Sequence, residues 1–158
     1  MAFKACEINP SRQIFARILP GSDLLPAIEE ICLKHRIKSA SIGTCIGSLK
    51  HLSYVYAIPE PSSFFKIKYS EPLKLDGIFE FVGAQGFIAL DDAGRHQIHL
   101  HAHLSDEHKA LYSGHLVQED NIVLATIEIL ITDLGDAPLK RNYHQESGFY
   151  FLEPIIEE

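Results

Sequence analysis

The stretch HQIHLHAHLS, residues 96–105, sets His99, His101 and His103 in alternation with Ile98, Leu100, Ala102 and Leu104. A strand turns successive side chains to opposite faces, so the apolar set and the histidine set are expected on opposite sides of a sheet. Neighbours on one face stand roughly 6–7 Å apart along a strand, so two imidazoles can converge on one ion through bonds of about 2 Å. A metal site normally needs a third protein ligand. His115, in the strand-like YSGHLV that follows a short connection, is the natural candidate, because antiparallel pairing of the two segments brings it across from His99 and His101. Gly114 beside it is expected to leave room for a ligand. Three neutral imidazoles plus water suit Zn²⁺ or another divalent transition metal with one exchangeable position, able to polarise a carbonyl or phosphoryl group. The same alternation equally describes a solvated or interface-lining histidine face satisfied by hydrogen bonds, and spacing alone favours that plainer reading.

His103 shares the strand face but lies farther from the midpoint of the first pair, and His96 and His108 fall in or next to turns. Glu80 and Glu128 each interrupt an apolar strand and are the catalytic candidates. Either can orient an imidazole or act as a general base, or simply face solvent or an interface. GTCIGS, residues 43–48, lacks the lysine and the following helix of a phosphate-binding loop and reads as a tight turn with close backbone packing. Cys6, Cys32 and Cys45 form no CxxC pair and are expected to be reduced residues.

The elements that must position these residues are mostly strands. RQIFARIL, residues 12–19, reads as an early strand closed by Pro20-Gly21. Leu24, Leu25, Ile28, Ile31 and Cys32 then recur at helical spacing, with Glu29, Glu30 and Lys34 on the other side, Ser22 or Asp23 as cap and Pro26 in the first turn. Strands are expected over residues 37–42, 49–58, 64–69, 73–82, 87–90, 97–105, 111–117 and 122–132. A glycine-marked bend at Gly43 and Gly47 and turns at Glu71-Pro72, Asp76-Gly77 and Asp91–Gly94 separate them. One convincing helix fits a βαβαβ nucleotide fold badly.

With 158 residues, 46% of them hydrophobic, the chain can bury a core without disulfides or metal staples and reads as one domain, residues 1–158. The most apolar run, residues 122–131, is too short and contains Glu128, and no secretory signal is evident, so a soluble, cytoplasmic protein without membrane partners is expected. A net charge of −7 disfavours non-specific attraction to nucleic acid.

Five segments, in order, resemble the plant and prokaryote conserved (PPC) domain family: RILPGSDLLPAIEEICLKHRIKSASI, IGTCIGSLKHLSY, FEFVGAQG, HLHAHLSDEHKALYSGHL and KRNYHQESGFYFL. The resemblance runs from Arg17 to about Leu152, and its most specific part is similar to an HxHxxxxD…GGHL signature, with Ser113 in place of one glycine. It implies an α+β fold, written as an α/β two-layer arrangement, in which a mostly antiparallel mixed sheet packs with one principal helix. It also implies a homotrimer, and His99, His101 and His115 as ligands of a metal ion, Zn²⁺ foremost. The land-plant relatives carry AT-hooks, and no such glycine-arginine core is present here. The expected function is therefore a homo-oligomeric module binding metal or a small polar ligand, with a regulatory role. A metal-dependent hydrolase or lyase of a small polar substrate, and a DNA-associated regulatory protein, are the alternatives.

Overall fold

The computed structural model describes residues 4–155. The element order is β1 (Arg12–Ile18), α1 (Leu24–His35), β2 (Ala40–Val55), β3 (Ala57–Pro59), β4 (Ile67–Tyr69), β5 (Leu73–Leu90), β6 (His96–Asp106), β7 (Leu111–Leu116), β8 (Val123–Asp133), β9 (Leu139–His144) and β10 (Phe149–Pro154). Six strands form the main sheet in the order β1-β8-β2-β5-β6-β7, and the end of β7 pairs back onto β2 through Tyr54↔Leu116 and Val55↔His115. The strands β2, β5, β6 and β7 are thereby closed on themselves, which holds β7 from both sides. Strand pairings among the described residues are antiparallel, including the small hairpins β3–β4 and β9–β10. The fold is thus a mostly antiparallel sheet with one helix.

The helix forms where the apolar spacing places it. Leu24, Leu25, Ile28 and Cys32 are buried in the same cluster as Leu100, Ala102 and Leu104 of β6 and Ile127, Ile129 and Ile131 of β8. Each fully buried aliphatic side chain of this kind stabilises the fold by about 1.5–3 kcal/mol. Asp23 occupies the cap position but makes no side-chain capping bond. Its carboxylate instead accepts from the amides of Asp120 (2.8 Å) and Asn121 (3.2 Å), while the Asn121 carbonyl accepts from the Leu24 amide at 2.9 Å. A loop distant in sequence therefore supplies part of what a local cap would, and the carboxylate pins that loop.

Several expected breaks are bulges. Residues 40–55 are one strand through Gly43 and Gly47, and residues 73–90 are one strand through Asp76-Gly77 and residues 83–86. Gly43 is the extra residue between the pairs Ile42↔Ile131 and Thr44↔Leu130, and Gly77 is skipped between Leu49↔Phe79 and His51↔Asp76. A bulge tolerates turn-type residues while the ladder continues, so these glycines mark kinks and not reversals. Close packing at Gly47 is real, since a Cβ there would lie 2.0 Å from the Thr126 carbonyl oxygen. The expected strand over residues 49–58 is interrupted at Tyr56, where β2 ends and β3 begins, and only Ile67–Tyr69 of residues 64–69 is strand. The β9–β10 hairpin was not anticipated as strands. Among the described residues, no helix is long and apolar enough to cross a membrane.

Candidate metal centre

Strand register assembles the histidines. His101 pairs directly with His115 across β6 and β7, and His99 follows two residues along β6 on the same face. The outcome is a three-imidazole cluster, with ring centroids 4.8 Å apart for His99–His115, 4.9 Å for His99–His101 and 5.3 Å for His101–His115. One nitrogen from each residue lies within 4.8 Å of the others. The Nε2 atoms of His99 and His101 are 2.9 Å apart. Tetrahedral ligands with bonds of about 2.0–2.1 Å stand roughly 3.3 Å from one another, so a divalent ion needs a small spreading of that pair and a closing of the wider separations, which reach no more than 4.8 Å. The donor set fits such an ion.

Burial favours the form that binds metal. It lowers the pKa of His99 to about 4, aided by the Arg141 charge and His101, and that of His115 to about 3, aided by His99, His101 and Arg141. His101 is lowered by burial, then by His103 and Arg141. Neutral imidazoles, each with one unprotonated ring nitrogen, are therefore present at neutral pH, as metal binding requires.

The other expected residues lie elsewhere. His103 is exposed, pairs with Ser113 and stands outside the cluster. His96 contacts the Ile37 carbonyl through Nε2 at 2.8 Å, and His108 is exposed beside Glu107. Glu80 is exposed opposite Ser105, four residues along β6 from His101 or roughly 13 Å at strand rise. Glu128 is exposed on β8 between Arg17 and Ile46, with β2 and β5 separating it from the histidine strand. Neither carboxylate joins the trio among the described residues. Cys32 and Cys45 are buried, and burial pushes both thiols up to about 12, which removes thiolate chemistry at neutral pH. The role of Gly114 also changes. A Cβ there would sit 2.6 Å from the Tyr54 ring, so the glycine makes room for β2 against β7.

A cleft of about 460 Å³ opens beside the trio, lined among others by Ser41, Gly43, Gln85, Phe87, His99 and His101. The chain matches the sequence profile of the Plants and Prokaryotes Conserved (PCC) domain over residues 7–135. The chain belongs to the PCC domain family. Solved structures similar to this PCC domain include a plant- and prokaryote-conserved protein of Pyrococcus horikoshii, 26% identical with a TM-score of 0.79, covering 98% of this chain and 100% of its own. A metal-containing protein of Archaeoglobus fulgidus is 23% identical with a TM-score of 0.78, covering 94% of this chain and 98% of its own. A protein of Bacteroides thetaiotaomicron, designated a candidate DNA-binding protein, is 19% identical with a TM-score of 0.77, over 93% of this chain and 97% of its own. The last two likenesses show the fold alone. No curated protein matches the sequence.

Two residues of this PCC domain that border the trio escape a reading of the sequence. The Tyr69 hydroxyl lies 3.4 Å from His115 Nδ1, and its ring centroid is 5.3 Å from the imidazole. Arg141 of β9 is buried, and its Nη1 donates to the Ile98 carbonyl at 3.0 Å. β7 pairs with β6 only as far as His101, and the arginine occupies the β6 edge beyond that point. Alternation in LKRNYH gives no sign of which residue turns inward. The one available signal was the basic and aromatic make-up of KRNYHQESGFYFL.

Proposed function

We propose that this PCC domain is a homo-oligomeric module that binds a divalent transition metal, Zn²⁺ foremost, through His99, His101 and His115, and offers it to a small polar ligand. The observation that carries this reading is the convergence of three imidazole nitrogens within 4.8 Å, from residues on two paired strands. The metal supplies a Lewis acid with an exchangeable position when bound. Glu80 and Glu128 stand apart from the trio, which favours a binding and regulatory module over a hydrolase or lyase that would need a base within reach of one water. The net charge of −7 gives direct DNA contact little electrostatic support.

Self-association is supported by the sheet face that bears the trio. Phe15, Ile46, Val82 and Phe87 are exposed on strands β1, β2 and β5, and Phe87 pairs with His99. Several exposed apolar side chains on one sheet face are a common mark of an interface, and a trimer is the assembly proposed. It would bring neighbouring copies close to the metal cleft.

Metal analysis of protein prepared without a histidine tag or chelator tests the central reading. About one divalent ion per chain is expected, given one three-histidine set. His101→Ala should lose most of it and His103→Ala should retain it. Equal metal content in His101→Ala and the parent would overturn the ligand set.

A further inference from the structure

Arg141 has an unusual setting for a permanently charged side chain. It is 5% exposed, its Nε has no hydrogen-bond partner, and among the described residues no carboxylate forms an ion pair with it. It meets the Ile98 carbonyl and the Tyr150 ring, whose centroid is 5.5 Å from the guanidinium carbon. Removing one partner of a buried charge pair is costly because the remaining charge is uncompensated, and Arg141 sits in that position by construction. Its setting is next to the trio. Ile98 precedes His99, the Arg141 charge acts on all three imidazoles, and Phe149 of the same hairpin lies 5.0 Å from Tyr69, which touches His115.

The charges around the cluster are one-sided. Three neutral imidazoles leave a divalent cation its full charge, and Arg141 adds another. Among the described residues no carboxylate joins the three-histidine group. A planar guanidinium matches oxyanions geometrically, and a metal with an exchangeable position accepts an oxygen ligand. We propose that the site takes a small oxyanion, a carboxylate or phosphate group, held between the cation on the histidines and the guanidinium of Arg141. This rests on the metal reading above and names the class of ligand that site would take. The adjoining cleft, with Phe87 among its lining residues, leaves room for an apolar remainder of the ligand.

The test uses full-length protein loaded with Co²⁺, with cobalt stoichiometry measured first and visible absorption then followed during titration with oxalate and, separately, inorganic phosphate. A saturable spectral change is expected with at least one of them. A response to oxalate assigns a carboxylate, and a response to phosphate assigns a phosphate group. Arg141→Met should retain the cobalt and weaken oxyanion binding by about tenfold or more, the loss of a charge-assisted hydrogen bond. Arg141→Lys keeps the charge without the fork and should fall between the two, which preserves the test if the methionine variant does not fold. Absence of cobalt uptake by the parent protein would overturn the metal reading and this one together. Cobalt uptake without response to either anion, or with parent-like affinity in the variants, would overturn this inference alone.

Discussion

Gly86 on β5 lies directly beneath the carbonyl of His99 on β6: a Cβ built on the glycine would come within 1.8 Å of that oxygen and 2.9 Å of its carbon. Both atoms are backbone, so no side-chain rotation can relieve the overlap. The close approach of these strands sets where His99 begins its path toward His101 and His115.

Gly86→Ala should therefore separate β5 from β6 locally. An overpacking penalty of about 2–3 kcal/mol is expected in denaturant unfolding. Metal affinity should fall in the folded fraction, since His99 shifts relative to its partners. Gly94→Ala is the comparison, because a Cβ there meets nothing within 4 Å, although its positive φ of 77° adds some strain. Equal stability of Gly86→Ala and the parent would contradict the close approach.

Tyr69 is placed to orient His115. With Nε2 on a metal, Nδ1 carries the proton and donates to the Tyr69 oxygen, 3.4 Å away. Tyr69→Phe keeps the tilted ring contact and removes that acceptor. Metal affinity should drop by about 10–100-fold, the usual effect of losing such an outer partner, with little change in fold stability. A chelator competition series reads this directly.

The metal-free protein should be acid-sensitive in a defined window. Burial first, then neighbouring positive charge, lowers His99 to about 4 and His115 to about 3, whereas an unfolded imidazole titrates near 6.5. As pH falls below about 6.5 the unfolded chain takes up protons before the folded one, so stability is greatest above that value and declines down to about pH 3. Thermal unfolding of chelator-treated protein should show a falling midpoint across that range. His115→Gln should have a shallower decline, and a flat parent profile would exclude imidazoles held neutral in this cluster.

If the apolar face around Phe87 is where copies meet, Phe87→Glu should disrupt the assembly. Light scattering should give about three chains for the parent and a lower mass for the variant, because a buried unpaired carboxylate opposes association. A parent that stays monomeric at high concentration would count against the trimer.

Much of the site could be read from residue order, because alternation is a local property. Leu100, Ala102 and Leu104 point inward and His99, His101 and His103 outward, as the pattern HLHAHL requires of any strand with one buried face. The helix stripe of Leu24, Leu25, Ile28 and Cys32 is equally local and is buried as spaced. Punctuation was less dependable. Gly43, Gly47 and Gly77 suggest reversals, yet each sits within a long strand, because a glycine kink and a glycine turn have the same local signature and only the neighbouring strands distinguish them.

The sequence by itself determined that the histidines share one face of a strand, that a single helix covers part of the core, and that the PCC family is the right comparison. Only the tertiary structure decided that His115 stands opposite His101 while His103 stands opposite Ser113, and that Glu80 and Glu128 lie away from the cluster. It also decided that Tyr69 and Arg141 border the trio. The reason is physical: alternation and helical spacing act between neighbours in the chain, whereas strand register and the packing of a distant hairpin depend on which backbones can approach. Here that approach is governed by contacts such as Gly86 against His99 and Gly114 against Tyr54.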